Sequence, residues 1–246
     1  MSDLNKHIAS AFDRDLEGIQ AQIMKMGGLV EEAIMSAATA LETRDEELAQ
    51  KVRDGDKAID AMDEALGEEA ARVIALRAPI ASDLRVVLSV MRMSANLERI
   101  GDLSKNMAKR TSVLAQMQSI GGTASSLRRM AREVELMLKD ALDSYIQRDE
   151  ALALDVIYRD RDVDQMYNTL FREVLTFMLE DPRNITACMH LHFIAKNIER
   201  MGDHVTSICE QVVFLTSGAL PDETREKMDK TSTEMGPNPN LVTRKD

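Results

Sequence analysis

From Leu16 onward the apolar residues recur in steps of three and four: Leu16, Ile19, Ile23, Met26, Val30, Ala33, Ala37 and Leu41. That period marks an amphipathic α-helix, and it runs across Gly27-Gly28, a pair that weakens a helix locally. Thr43-Arg44-Asp45 reads as a turn. A second series, Leu48, Val52, Ile59, Met62, Leu66, Val73 and Leu76, predicts a second helix that stops at Ala78-Pro79. Ser82 or Asp83 is placed to cap a third helix reaching about Met117. Gly121-Gly122 marks a mid-chain break.

The pattern then starts again. Arg44-Asp45 returns as Arg148-Asp149, and Val52, Asp56, Ile59, Asp60 and Met62 return as Val156, Asp160, Val163, Asp164 and Met166. Asn96-Leu97-Glu98-Arg99-Ile100-Gly101-Asp102 returns as Asn197-Ile198-Glu199-Arg200-Met201-Gly202-Asp203. Five of the seven positions are identical and two are conservative, so the chain reads as an internal duplication. The second half breaks at Glu180-Asp181-Pro182-Arg183, and its last helix is expected from about Asn184 to Thr216. The predicted fold is all-α: two tandem three-helix bundles, residues 5–118 and 122–217, followed by a polar tail over 218–246 that reads as disordered.

Helical phase then gives the acids a meaning. On the third helix Leu84, Val87, Leu88 and Met91 share a stripe with Glu98, Asp102 and Asn106. Val86, Val90, Met93, Leu97 and Ile100 form a second apolar stripe on the far side, with Arg85, Arg92 and Arg99 between them. A helix apolar on two sides belongs at the centre of its bundle. An acid on a packed stripe must be neutralised, paired or bound to a cation. Asp56/Asp60 and Glu98/Asp102 in the first half, with Asp160/Asp164 and Glu199/Asp203 in the second, are therefore candidate metal ligands. Carboxylate-only clusters suit hard or borderline cations such as Mg, Mn, Ca or Fe. With 42 acids in 246 residues, chance alone supplies roughly seven acid pairs four apart. Solvated faces and arginine salt bridges therefore remain an alternative account of these pairs.

Composition narrows the rest. A formal net charge of −11 argues against non-specific nucleic-acid binding and against docking on an anionic membrane by charge. It favours basic patches on protein partners. No stretch approaches the roughly 20 apolar residues of a membrane span. Met1–His7 lacks the apolar core of a signal peptide. Cys188 and Cys209 fall on one predicted helix about 31 Å apart at roughly 1.5 Å per residue, too far to bridge. A reduced, cytoplasmic compartment is expected. No Glu-x-x-His pair, Gly-rich phosphate loop or Cys/His zinc spacing is present. His190 and His192 are too close for a helical i,i+4 pair; His192, on the stripe of Glu199, reads as a polar core histidine in preference to a phosphorelay one, and the 17 Met as core filler in preference to a docking groove.

Four segments together carry a family resemblance: Leu76-Arg77-Ala78-Pro79-Ile80-Ala81-Ser82-Asp83-Leu84-Arg85, Glu98-Arg99-Ile100-Gly101-Asp102, Glu180-Asp181-Pro182-Arg183, and Ala195-Lys196-Asn197-Ile198-Glu199-Arg200-Met201-Gly202-Asp203-His204. Over about residues 5–218 the chain resembles the PhoU family of bacterial phosphate-transport accessory regulators. The resemblance implies two similar three-helix bundles and a homodimer. It implies multinuclear sites for divalent or trivalent metal ions (Fe, Mn, Mg or Zn) on the four acid pairs named above. It also implies a non-catalytic, negative regulatory role, linking the ATPase subunit of the phosphate ABC transporter to a phosphate sensor histidine kinase. Two positions depart from the family pattern: Ala78 stands where Gln is usual before the proline, and Ser207 where Asn is usual after the second motif. Asn106 keeps that Asn in the first half, so Asn106 and Ser207 are candidate donors behind the ligands. The rival readings are a metal-dependent phosphohydrolase and a metal-free helical scaffold.

Overall fold

The computed structural model describes residues 2–221, with side chains from residue 12 onward except residue 13. The expected polar tail therefore lies outside the described residues from 222 on. Six α-helices follow one another: α1 (Ser2–Thr43), α2 (Glu46–Arg77), α3 (Ser82–Leu114), α4 (Thr123–Gln147), α5 (Glu150–Glu180) and α6 (Ile185–Ser217). Among the described residues there is no strand and no helix long and apolar enough to cross a membrane.

The duplication is visible in the turns. Asp45 and Asp149 each accept a hydrogen bond from the backbone N–H three residues on, capping α2 and α5. The residue before each, Arg44 or Arg148, adopts the left-handed conformation at φ 57° and 55°. Arg44 also donates to the Met117 carbonyl at 2.7 Å, tying this turn to the connector between the halves.

Helices α1, α2 and α3 pack on one another, as do α4, α5 and α6. The halves are joined by α3 against α6 and α1 against α4, leaving α2 and α5 on the outside. Both cross-half pairs are antiparallel. On α3, Asn96 meets His204 and Arg110 meets His190. On α1, Gly27 lies against Leu142 while Glu42 meets Ser125 and Arg128. One continuous apolar core runs through both bundles, from Ile19, Ile23 and Met26 through Met93, Leu97 and Ile100 to Ile198, Met201 and Val205.

The structure corrects several sequence expectations. Helix α1 begins at Ser2, well before Leu16. Helix α3 ends at Leu114 rather than Met117. Neither Ser82 nor Asp83 caps it, because Ala81 holds the cap position at φ 49° and no side chain bonds the first turn. A short 3-10 turn, Pro182–Asn184, leads into α6, where proline's fixed φ suits the first position. Helix α3 is central, touching α1, α2 and α6. Of its two apolar stripes, the one holding Val90, Met93, Leu97 and Ile100 is buried; on the other Val87 is buried but Leu88 is 41% exposed and Met91 39%. At the tip of α2, Leu76 is 66% exposed instead of packed.

Gly27 is the close-approach point of α1 on α4. A Cβ there would lie 2.3 Å from Leu142 Cδ1, whereas one on Gly28 meets nothing within 4 Å. Gly28→Ala is thus expected to stabilise by about 0.5–1 kcal/mol through helix propensity. Gly27→Ala is expected to lose that gain to overpacking, which costs roughly 1–3 kcal/mol. Thermal denaturation should show opposite changes, about 2–4 °C per kcal/mol for a chain of this size.

Candidate functional site

The two repeated motifs share a contact that explains their glycine. Asp56 on α2 is 3% exposed and presses against Gly101 on α3, where a Cβ would lie 3.6 Å from Asp56 Oδ1 and 3.0 Å from Ile59 Cδ1. Asp160 on α5, also 3% exposed, presses against Gly202 on α6, where a Cβ would lie 2.6 Å from Asp160 Oδ1. Gly202 therefore leaves room for a carboxylate from the outer helix between the Glu and the Asp of its motif, while Gly101 leaves room chiefly for Ile59, with Asp56 in ordinary contact beside it.

In the first half the four predicted acids share one electrostatic neighbourhood. Burial raises the Asp60 carboxyl above its ordinary value; Asp56, Asp102 and Asp63 add to the effect and Lys105 opposes it. Burial also raises Glu98, with Arg99 opposing and Asp102, Asp63 and Asp60 adding. Two cations belong to this group: Arg99, 3.4 Å from Glu98 Oε2 and 3.6 Å from Asp102 Oδ2 on its own helix, and Lys105, which reaches between helices. The Lys105 ammonium donates to Asp56 Oδ2 and, at 3.2 Å, to Asp102 Oδ1, joining α2 to α3. The bond to Asp56 raises the lysine above its ordinary value. Asp56 Oδ1 is buried with no hydrogen-bond partner among the described residues.

In the second half Asp160, Asp164 and Glu199 are all buried and Asp203 is partly so. Lys196 Nζ lies 2.8 Å from Glu199 Oε1 and 5.1 Å from the centre of the Tyr167 ring. Next to Asp160, Arg159 ties α5 to α4 through Asp140 and, at 3.2 Å, Glu133. Among the described residues no three His, Cys, Asp or Glu side chains converge closely enough to share a metal ion. The carboxylate donors suit a hard cation, and the unpartnered Asp56 oxygen and the space at Gly202 fit one; each cluster holds a lysine, joined in the first by Arg99.

Asn106 accepts from Lys109 at 3.4 Å, and Ser207 donates to the Asp203 carbonyl at 3.1 Å. The histidines have structural surroundings. His192 lies among Tyr167, Phe171 and Phe193. Burial and Arg110 lower His190, which faces the Arg110 guanidinium at 3.2 Å. Burial, then Arg200, lowers His204, which meets Asn96 across the α3–α6 seam at 2.9 Å. Cys188 and Cys209 are free and buried, and burial pushes both thiols up, away from reactivity.

Sequence reasoning missed Lys105, Lys196, Asp63 and Tyr167. Asp63 is three residues beyond Asp60, Lys105 three beyond Asp102 and Lys196 three before Glu199. Those one-turn offsets were the available signal. The outer face of α3 and α6 also departs from the acidic character of the chain. The exposed charged residues of these two helices are Arg92, Arg99, Lys109 and Arg200, and Leu88, Met91, Met189 and Phe193 are exposed as well.

The sequence matches the model of the PhoU domain twice, over residues 23–111 and 127–212. The chain is 45% identical to the phosphate-specific transport system accessory protein PhoU homolog of Rhizobium meliloti, over 92% of this chain and 96% of that one. It is 38% identical to the phosphate-specific transport system accessory protein PhoU of Escherichia coli, over 88% and 89% respectively. Its structure is similar to the crystal structure of PhoU from Pseudomonas aeruginosa, with a TM-score of 0.82 and 37% identity, covering 85% of this chain and all of that one. It is also similar to the phosphate transport system regulatory protein PhoU from Streptococcus pneumoniae, with a TM-score of 0.79 and 30% identity over 86% and 99% of the two chains. With both PhoU domains matched and these relatives aligned over nearly their full length, the chain belongs to the PhoU family.

Proposed function

We propose that this protein is a cytoplasmic, non-catalytic regulator of phosphate uptake and phosphate-starvation signalling. It acts by binding the ATPase subunit of the phosphate ABC transporter and a phosphate sensor histidine kinase, keeping starvation signalling off when phosphate is plentiful. The observation that carries this reading is full-length similarity, across both PhoU domains, to relatives named as phosphate-transport accessory proteins. Deleting the gene is expected to switch on a phosphate-starvation reporter in phosphate-rich medium. Purified protein is expected to retain both partners in pull-downs. An unchanged reporter with neither partner captured overturns the role, and steady hydrolysis of phosphate esters abolished by Glu98→Ala would favour a phosphohydrolase.

Asp56, Asp60, Glu98 and Asp102, and Asp160, Asp164, Glu199 and Asp203, would hold divalent or trivalent cations in this reading. A cation so held would tie α2 to α3 and α5 to α6, stiffening the face that partners meet. The protein works as a homodimer.

Exposed Leu88 and Met189 occupy equivalent positions in the two halves, Leu88 one turn from Arg85 and Arg92 and Met189 one turn from Phe193, and are the apolar anchors of the docking face. The variant Leu88→Asp/Met189→Asp is expected to keep its helical circular dichroism and melting temperature. Its binding to the partner should weaken by about 2 kcal/mol or more, as for a lost interface anchor, measured by titration calorimetry. Unchanged affinity would place docking on another face.

A further inference from the structure

We propose that Lys105 and Lys196 are built-in counter-ions of the two carboxylate clusters, so that a metal ion enters each cluster only by displacing an ammonium group of the chain itself. The proposal rests on the reading that these clusters bind metal, and it adds what controls that binding.

The duplication supplies the argument. The acids, the glycines and the arginine of the motif are copied from one half to the other. The lysines are not. The position equivalent to Lys105 is Thr206, and the position equivalent to Lys196 is Ala95. Thr206 is fully buried and donates to the Asp203 carbonyl, so it has no cationic role, and Ala95 has none to offer. Yet each half places one ammonium at its cluster, from one turn after the motif Asp in the first half and one turn before the motif Glu in the second. Two halves that lost or gained a lysine independently have met the same demand from different sides. The common factor is the charge of the buried carboxylates, which is costly without a cation.

Geometry makes lysine and metal exclusive. A divalent ion draws several oxygens to about 2.0–2.6 Å. Lys105 holds Asp56 and Asp102 around a nitrogen at hydrogen-bond range, 3.2 Å for Asp102. Bringing those oxygens onto a metal requires the ammonium to leave, because two cations cannot share the space. Leaving costs more in the first half. Lys105 bridges acids from two helices. Lys105 is also the less exposed of the two side chains, 27% against 36%. The second-half cluster is therefore the one that fills first, and the first-half cluster fills only at higher metal concentration.

The test is titration of chelator-stripped, full-length protein with Mn²⁺, counting free ion by electron paramagnetic resonance, with melting temperatures taken in parallel. Wild type is expected to show one tighter and one weaker class of Mn²⁺. Lys105→Met should tighten the weaker class by about tenfold or more, the gain from removing a competing charge. Without metal it should melt below wild type, and Mn²⁺ should restore the loss. Lys105→Arg, which keeps the charge, should bind Mn²⁺ no more tightly than wild type. Lys196→Met carries the same prediction for the tighter class, and its more exposed side chain keeps the test open should Lys105→Met not fold. Mn²⁺ binding that is identical in wild type and both methionine variants overturns the competition while leaving the metal reading intact. No Mn²⁺ bound by any of the proteins overturns the metal reading, and the competition with it.

Discussion

A carboxylate buried between two helices is the constraint around which the molecule is arranged. Asp56 and Asp160 sit inside the packing of an outer helix on an inner one, each facing the glycine of the repeated motif. Asp160 could not be there if the inner helix carried a side chain at Gly202, and at Gly101 a side chain would crowd Ile59, one turn from Asp56. Neither aspartate could remain charged without a cation nearby. The glycine gives the space, the surrounding acids make the field strongly negative, and a lysine answers it. The outer helices α2 and α5 touch only their own half, so these contacts help to hold them in register.

Much of this was legible in the chain. The repeat of Glu-Arg-x-Gly-Asp at a distance of 101 residues showed a duplicated fold, and the three-and-four rhythm located the helices. Asp45 and Asp149 announced their turns, because an N-cap aspartate after a left-handed residue is a local matter. The lysines were not legible for a physical reason. A lysine one turn from an aspartate is commonplace on a solvated helix, and only the packing of α2 against α3 turns Lys105 into an interhelical clamp. Periodicity also could not separate the two apolar stripes of α3. Burial in a core and burial under a partner use the same side chains, so Leu88 and Met91 read as interior although they face outward. Similarly, Ala81 at the start of α3 carries no capping signal, and the nearby Ser82 and Asp83 drew the expectation instead.

The overall charge was a poor guide to the working face. A chain of net charge −11 suggests basic partners, yet the exposed charges of α3 and α6 are basic, their acids being buried or half-buried. Net charge sums over a surface that is divided: on these two helices the acids are buried or half-buried, and Arg92, Arg99, Lys109 and Arg200 are exposed. A partner approaching the α3–α6 seam meets arginine and exposed Leu, Met and Phe, not the average of the sequence.

The two halves have also stopped being copies in the places that matter most. Asp63 of the first half corresponds to Tyr167 of the second, where an aromatic face lies under Lys196. Gly55 corresponds to Arg159, which braces α5 against α4. Replacing an acid by a tyrosine lowers the negative charge around the second cluster while still giving its lysine a favourable surface. Arg159 pairs with Asp140 and Glu133 of α4. The first half answers its carboxylates with Lys105, which reaches across two helices, and with Arg99 beside Glu98 and Asp102, whereas the second sets Lys196 against Glu199 and the Tyr167 ring. Equal sequence motifs therefore need not mean equal sites: the duplicated backbone fixes where the acids stand, and the unduplicated neighbours set how readily each cluster gives up its own cation for another.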